Sequence, residues 1–203
     1  MTPEELLEEF SRMNNELINA KRELLRLNRE LEESSRVDPL TGLRNRRAFD
    51  ELADQHHKVA ARGGGSFAVL YFDLDDFKSV NDRFGHAEGD AALKAAAGIL
   101  ASCFRAGDIL ARIGGDEFIA LQANTKPGSV DTLSGRIRAA ARTWNESSGK
   151  PWRIQFSIGS AEFDTSTCES LAELIDRADE AMYEDKRGKG RKTGELDGEG
   201  RPG

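Results

Sequence analysis

Three acids, Asp73, Asp75 and Asp76, follow directly on the apolar run Phe67–Phe72. Carboxylates at the end of a buried strand stand on rigid backbone at the edge of a sheet. A second acidic group, Gly114-Gly115-Asp116-Glu117, lies between two short apolar runs and reads as a hairpin turn. If those strands neighbour each other, the two groups of carboxylates converge and repel unless a cation lies between them. Hard oxygen ligands select Mg²⁺ or Mn²⁺. Two such ions can orient and neutralise a nucleotide triphosphate, and the two glycines let backbone approach a phosphate closely. Either cluster alone also reads as a solvated acidic turn. Together they point to a phosphate-handling site.

These groups must be carried by one core of ordinary size. The chain has 203 residues, 38% of them hydrophobic, which suits one packed domain plus an appendage. No apolar run is long enough to cross a bilayer. The acidic, periodic N-terminus has neither the basic start nor the unbroken apolar stretch of a signal peptide. Cys103 and Cys168 lie far apart without metal-ligand spacing, which argues for a reducing, cytoplasmic setting and against a disulfide scaffold or zinc site. The 29 basic against 36 acidic side chains give a net charge of −7. Polymer nucleic acid needs a basic face, so it is disfavoured as a partner, while small phosphorylated ligands remain compatible.

The chain divides near residue 36. Residues 4–35 hold no Gly or Pro, and Leu6, Phe10, Met13, Leu17, Ala20, Leu24, Leu27 and Leu31 recur at gaps alternating four and three. That is a heptad seam, with a at 10, 17, 24 and 31 and d at 6, 13, 20 and 27. Glu9, Glu16, Glu23 and Glu30 fill every g position over the same span. At about 1.5 Å per residue the helix would be roughly 45 Å long, more than a small domain can cover. The other reading is a lone amphipathic helix packed on its own domain; the strict repeat favours a parallel homodimer through residues 4–35, with residues 1–36 as a dimerisation helix.

Asp38-Pro39 ends that helix. Beyond it the pattern alternates. Asn45 caps a helix to about Ala61. Phe67–Phe72 is a buried strand, helical turns run to Phe84, and Gly89-Asp90 opens an alanine-rich helix to about Phe104. Strands at Asp108–Ile113 and Glu117–Ala123 flank the turn. A helix spans Ser129–Asn145, a long strand Trp152–Phe163 and a helix Leu171–Lys186, and a disordered tail covers 193–203. Helices packed on a mostly antiparallel sheet make an α+β domain. His56-His57 read as solvated surface, and Trp144 and Trp152 as packing residues.

The turn Gly114-Gly115-Asp116-Glu117-Phe118 resembles the signature of the GGDEF family, the diguanylate cyclases. Further segments resemble that family in order. They are Asp38-Pro39-Leu40-Thr41-Gly42-Leu43-Arg44-Asn45-Arg46-Arg47, Asp73-Leu74-Asp75-Asp76-Phe77-Lys78, Asn81-Asp82 with Gly85-His86 and Gly89-Asp90, Ser157-Ile158-Gly159, and Ala178-Asp179-Glu180-Ala181-Met182-Tyr183 with Lys186. The resemblance covers residues 37–192 and implies a nucleotidyl-cyclase-like sheet of about five mainly antiparallel strands flanked by helices.

It also implies roles. Asp73, the Leu74 carbonyl, Asp116 and Glu117 would hold the metal, two ions of Mg²⁺ or Mn²⁺ in each half-site. Phe77, Lys78, Gly114 and Gly115 would line the substrate, with Lys78 and Lys186 on the phosphates. Asn81 and Asp90 would read guanine. A carboxylate suits guanine's adjacent N1–H and N2–H donors and repels adenine's N1 acceptor. The implied reaction condenses two GTP into cyclic di-GMP with release of two pyrophosphates, at the interface of two domains. Arg105-Ala106-Gly107-Asp108 matches the family's Arg-x-x-Asp product site, which would confer feedback inhibition. The strand from Ile109 to Ile113, roughly 17 Å long, would join that site to the turn. The family's closing Lys is followed by Gly-Arg three and four residues on, whereas here Lys186 precedes Arg187-Gly188-Lys189-Gly190-Arg191. Whether Lys189 or Arg191 is the companion stays open. The alternative reading is a catalytically silent module that binds GTP or cyclic di-GMP.

Overall fold

The computed structural model describes residues 12–26, 36–166 and 169–196, with side chains of the last segment described to Lys189. Contacts divide the chain into two units, Met1–Arg36 and Val37–Gly203. In the first, residues 12–26 form helix α1. Its seam side chains Met13, Leu17 and Leu24 are 57, 69 and 68% exposed, an apolar stripe along the helix. The seam positions at 6, 10, 27 and 31, and Cys168, lie outside the described residues.

The second unit runs β1 (Arg44–Asn45), α2 (Arg46–Gly63), β2 (Phe67–Leu74), α3 (Phe77–Phe84), α4 (His86–Cys103), β3 (Ile109–Gly114), β4 (Glu117–Ala123), α5 (Ser129–Ser147), β5 (Phe156–Glu162) and α6 (Leu171–Leu196). The strands form one sheet in the order β1-β3-β4-β2-β5. Only the β1–β3 pairing is parallel; β3–β4, β4–β2 and β2–β5 are antiparallel. This is the expected α+β, cyclase-like sheet.

Every residue of β2 is buried, because helices cover both faces of the sheet. Side-chain alternation sorts them. Ala68, Leu70, Phe72 and Leu74 join the alanine-rich face of α4 and the apolar stripe of α5. Phe67, Val69 and Tyr71 join Phe49 and Ala53 of α2 and Leu174, Ala178 and Met182 of α6. Continuing the alternation puts Asp73 on the α6 face. The approach of α6 is closest at Gly159 of β5, where an added Cβ would lie 2.0 Å from Met182 N and 2.1 Å from Ala178 O.

Helix α2 starts where Asn45 Oδ1 accepts the Ala48 amide at 3.0 Å, as its capping residue type predicts. Three boundaries differ from the sequence reading. Helix α4 begins at His86 rather than Gly89. The strand β5 is shorter than Trp152–Phe163, because Asn145 accepts from Ile154 N at 2.7 Å and donates to Ile154 O at 2.8 Å, taking the bonds a strand partner would use. Helix α6 continues past Lys186 to Leu196, so residues 193–196 of the expected tail are helical; 197–203 lie outside the described residues.

The histidine reading also needs correction. His57 is half-buried, edge-on to Phe163 at 4.9 Å, and its Nε2 lies 2.9 Å from Glu169 O. Two aromatic rings and one carbonyl partner it, which a search for acids near it in sequence does not see. Trp144 and Trp152 stack at 5.3 Å with an interplanar angle of 20°, and the Trp152 indole donates to Glu88 at 2.7 Å, a packing role as expected.

Candidate active site

The sheet register brings the two acidic groups together. Asp73 of β2 pairs with Glu117 of β4 on one side and Ser157 of β5 on the other, and the Leu74 amide donates to Asp116 O at 3.1 Å. Asp73, Asp116 and Glu117 thus sit at one end of the central strands. Asp73 is 6% exposed. Burial pushes its carboxyl up, and the charges of Asp116 and Asp75 add to that, against an opposing pull from Lys186. Glu117 is likewise raised by burial, then by Asp116, Asp179 and Asp73. Beneath it, burial pushes Tyr71 up to about 12, helped by the charges of Glu117 and Asp179. Carboxyls that raise one another are a set whose charge a cation would relieve.

Lys186 partly fills that role. Its Nζ donates to Asp73 Oδ1 at 2.7 Å. Its burial opposes the charged form, but the Asp73 bond and the charges of Asp73, Asp116 and Asp75 raise its pKa on balance. Among the described residues no three Asp, Glu, His or Cys side chains converge closely enough to hold a metal by themselves. The donor chemistry nevertheless fits a hard divalent cation: buried carboxylate oxygens, the adjoining Leu74 carbonyl, and a basic side chain already drawn to the same point. Triphosphate oxygens would complete the shell.

Lys189 Nζ donates to Asp75 Oδ2 at 2.8 Å, to Ser157 Oγ at 3.2 Å and to Phe156 O at 2.5 Å, and lies 3.3 Å from Asp185. It is engaged inside the fold. Ser157, wholly buried, donates to Asp75 Oδ1. Sequence reasoning missed this Ser157–Asp75–Lys189 network, since its members lie on three elements. Arg191's side chain is outside those described.

The turn is a bulged hairpin, with the β3–β4 register shifting between Arg112 and Gly114. Gly114 and Gly115 have φ of 154° and 49°, and Gly115 lies in the left-handed region that suits glycine. Arg112 holds the turn, its Nε and Nη2 donating to Gly115 O at 3.0 and 2.7 Å. The same guanidinium reaches Asp38 through Nη1. Asp38 also accepts from the Thr41 amide at 2.8 Å and from its hydroxyl. The opening Asp38–Thr41 turn therefore supports the Gly114–Gly115 turn, a second link that no local spacing discloses.

Beside the acids, β2 leads into α3. Phe77 opens α3 and packs against the core. Lys78 is exposed on α3 and makes no hydrogen bond or ion pair among the described residues. Asn81 and the Gly89–Asp90 step meet across the α3–α4 junction. A Cβ at Gly89 would lie 2.0 Å from Asn81 Oδ1, so only glycine lets the amide come this close. Asp90 follows, exposed, in the first turns of α4.

At the far end of β3, Arg105 and Asp108 form a tight turn. Asp108 Oδ2 accepts from the Arg105 amide at 2.9 Å, and Oδ1 from the Ala123 amide at 3.1 Å. The Asp108 carboxylate is thus bonded to backbone, while the Arg105 side chain is exposed. A cavity of about 250 Å³ lies beside it, lined also by Gln122, Leu133 and Arg136. Gln122 Oε1 is buried there with no partner. Arg136 comes from α5, too distant in sequence to be read as part of an Arg-x-x-Asp motif.

The family described as diguanylate cyclase, GGDEF domain, matches residues 35–192. Diguanylate cyclase DgcP of Pseudomonas aeruginosa is 40% identical over 152 residues, covering 74% of this chain and 22% of that protein. Diguanylate cyclase DgcM of Escherichia coli K12 is 38% identical over 165 residues, covering 79% of this chain and 38% of that protein. The chain thus spans well under half the length of these curated relatives. Proteins named as cyclic di-GMP phosphodiesterases also match. The solved coiled coil and GGDEF domain of DgcB from Caulobacter crescentus, in complex with c-di-GMP, superimposes with a TM-score of 0.70 at 31% identity, covering 87% of this chain and 95% of that one. No described helix is long and apolar enough to cross a membrane. The five-stranded sheet, the hairpin signature and these matches have one reading: the chain belongs to the GGDEF-domain family.

Proposed function

We propose that this chain is a diguanylate cyclase, condensing two GTP into cyclic di-GMP and two pyrophosphates. The observation that carries the reading is the Asp73–Glu117 register pair beside Asp116 and Lys186. A domain that had abandoned catalysis would have no need of a buried Asp73 beside half-buried Asp116 and Glu117 at one end of the sheet. The match covers 22% of a relative named as a phosphodiesterase and 22% of the cyclase DgcP alike, so the proposal rests on the acids of this segment and not on either name.

In this reading Asn81 and Asp90 hold guanine, and Lys78 and Lys186 take the phosphates. Asp73, Asp116, Glu117 and the Leu74 carbonyl would hold Mg²⁺ or Mn²⁺. The bound cations would neutralise the triphosphate and lower the pKa of the attacking 3′-hydroxyl. Asp116 and Glu117 keep a field of negative charge where that proton is lost, and the Gly114–Gly115 backbone leaves room for the phosphate. One domain binds one GTP, so two domains must face each other. The exposed heptad stripe of α1 supports a parallel homodimer that raises their effective concentration. Arg105 and Asp108, beside the cavity with its orphaned Gln122 amide oxygen, are proposed to bind cyclic di-GMP and restrain the enzyme. We assign residues 1–36 to dimerisation and 37–192 to catalysis, in the cytoplasm where GTP is available.

Incubating the full chain with GTP and MgCl₂ and separating the products by chromatography tests the reading. Appearance of cyclic di-GMP and pyrophosphate in a 1:2 ratio is expected. Binding of GTP without turnover would establish the silent-module alternative.

A further inference from the structure

A cavity of about 280 Å³ opens between α5, the segment before β5, and α6, lined by Arg138, Arg142, Arg153 and Lys189 over Ile154 and Phe156. None of the assignments above uses it. In a chain of net charge −7, four cations gathered on one concave surface need an explanation. Two of them have one. Arg138 donates to Asp185 at 3.2 Å, and Lys189 is shared between Asp75 and Asp185. Arg142 and Arg153 have none: among the described residues neither makes a hydrogen bond or an ion pair. Arg142 also stands four residues from Arg138, on the same face of α5, where like charges repel.

We infer that this cavity binds a diphosphate group, as free pyrophosphate or at the end of a nucleotide. Guanidinium forks match phosphate oxygens in pairs, which an ammonium does not. A diphosphate would offer oxygens to Arg142 and Arg153 together and remove their mutual repulsion. The apolar floor of Ile154 and Phe156 lowers the local dielectric and so strengthens both contacts. The volume, near the lower end of small-molecule pockets at about 300 Å³, suits a compact anion rather than a whole dinucleotide. Arg105 and Arg136 line a different cavity, so this site is separate from the proposed product site. Nor does it depend on the cyclase reading, because Asp73, Asp116 and Glu117 do not line it.

Calorimetry of the full chain with sodium pyrophosphate, in EDTA without divalent metal and at low salt, tests the inference. The metal-free condition leaves the acidic end of β2 without its counter-ions, so binding there is suppressed. One saturable site is expected. Arg142→Glu with Arg153→Glu should weaken it at least tenfold, with Arg105→Ala and Lys186→Ala within twofold of the parent. Both arginines are exposed, and far-ultraviolet dichroism checks the fold. If the double charge reversal unfolds the chain, Arg142→Gln with Arg153→Gln replaces it, with at least a fivefold loss expected. A GDP arm separates the sources: tighter binding than pyrophosphate assigns the site to nucleotides, and equal or weaker binding to the free anion. The inference is overturned if the parent chain binds no pyrophosphate, if the arginine variants bind it equally, or if Arg105→Ala loses as much.

Discussion

Arg112 Nη1 lies 3.2 Å from both carboxylate oxygens of Asp38, while the rest of its guanidinium grips the Gly115 carbonyl. One side chain thus joins the first turn of the domain to the signature hairpin, 74 residues away. Both partners are largely buried, at 13 and 17% side-chain exposure. Arg112→Lys keeps the charge but loses the fork. We expect turnover of GTP to fall at least tenfold, with the melting temperature lowered by a few degrees, as loss of hydrogen bonds to a charged group costs about 1.5–3 kcal/mol. Steady-state kinetics and a thermal melt of the variant check both.

The same carboxylate predicts an acid response. Burial alone would raise Asp38, but the Thr41 hydroxyl and amide and the Arg112 charge outweigh it and hold the group below the usual carboxylate range. A depressed carboxyl contributes stability that is fully present above its unfolded pKa, about 3.9. That stability is lost as pH falls from there through the lower folded value. Asp38→Asn should therefore be less stable at neutral pH, with the gap to the parent closing below about pH 4. Urea midpoints measured across pH 3 to 7 give the answer, and a constant gap would show that the pair is not linked to pH.

Asp73→Asn should abolish cyclic di-GMP synthesis while the fold survives. An amide is a poorer ligand for a hard cation, and it holds Lys186 by a neutral hydrogen bond in place of the ion pair. It also ends the mutual repulsion with Asp116 that raises the native carboxyl, so the melting temperature should be unchanged or higher. Full activity in the purified variant would remove Asp73 from the metal set.

Arg105→Ala should weaken cyclic di-GMP binding at least tenfold and relieve product inhibition, with an initial rate within twofold of the parent. The side chain stands at the opposite end of β3 from the Gly114–Gly115 turn, so it has no path to the GTP phosphates. Titration calorimetry with product compares the two proteins. Equal affinities would leave Arg105 and Asp108 as turn residues only.

Leu17→Glu with Leu24→Glu should give a monomer at micromolar concentration and a large loss of activity. Both are a positions, 69 and 68% exposed in the single chain, so the isolated helix does not need them. A dimer would have to bury four glutamates, at a cost of several kcal/mol unless they are neutralised. GTP should still bind each monomer. Light scattering beside an activity assay decides the matter: an unchanged dimer would show that α1 is not the dimerising element.

The central strand was legible because burial on both faces leaves an unbroken apolar run, and the turn because glycines and acids have few other reasons to stand together. Asp73 and Glu117 could be paired in advance only conditionally, since sequence does not say which strands are neighbours. What stayed hidden was carried by long-range side chains. Arg112 gives no sign in sequence that it serves both Asp38 and Gly115. Lys189 and Arg191 could not be told apart as the companion of Lys186 from spacing alone, and spacing did not show that the α6 backbone turns Lys189 toward Asp75 and Ser157. Likewise His57 looked solvated, since Phe163 and Glu169 meet it only through the tertiary fold. The end of β5 moved for a similar reason: Asn145 satisfies Ile154 in place of a neighbouring strand.

Helix α6 follows all five strands in the chain, and it brings Lys186 to Asp73 and Lys189 to Asp75. On the ribosome, Asp73 and Asp75 are therefore synthesised before the lysines that accompany them. Until α6 emerges and settles against Gly159, β2 ends in like charges with no lysine to offset them. A chain cut short before Lys186 keeps that repulsion uncompensated at the end of β2. Synthesis of α6 is thus a condition for completing the acidic site, so products truncated before Lys186 should be catalytically inert.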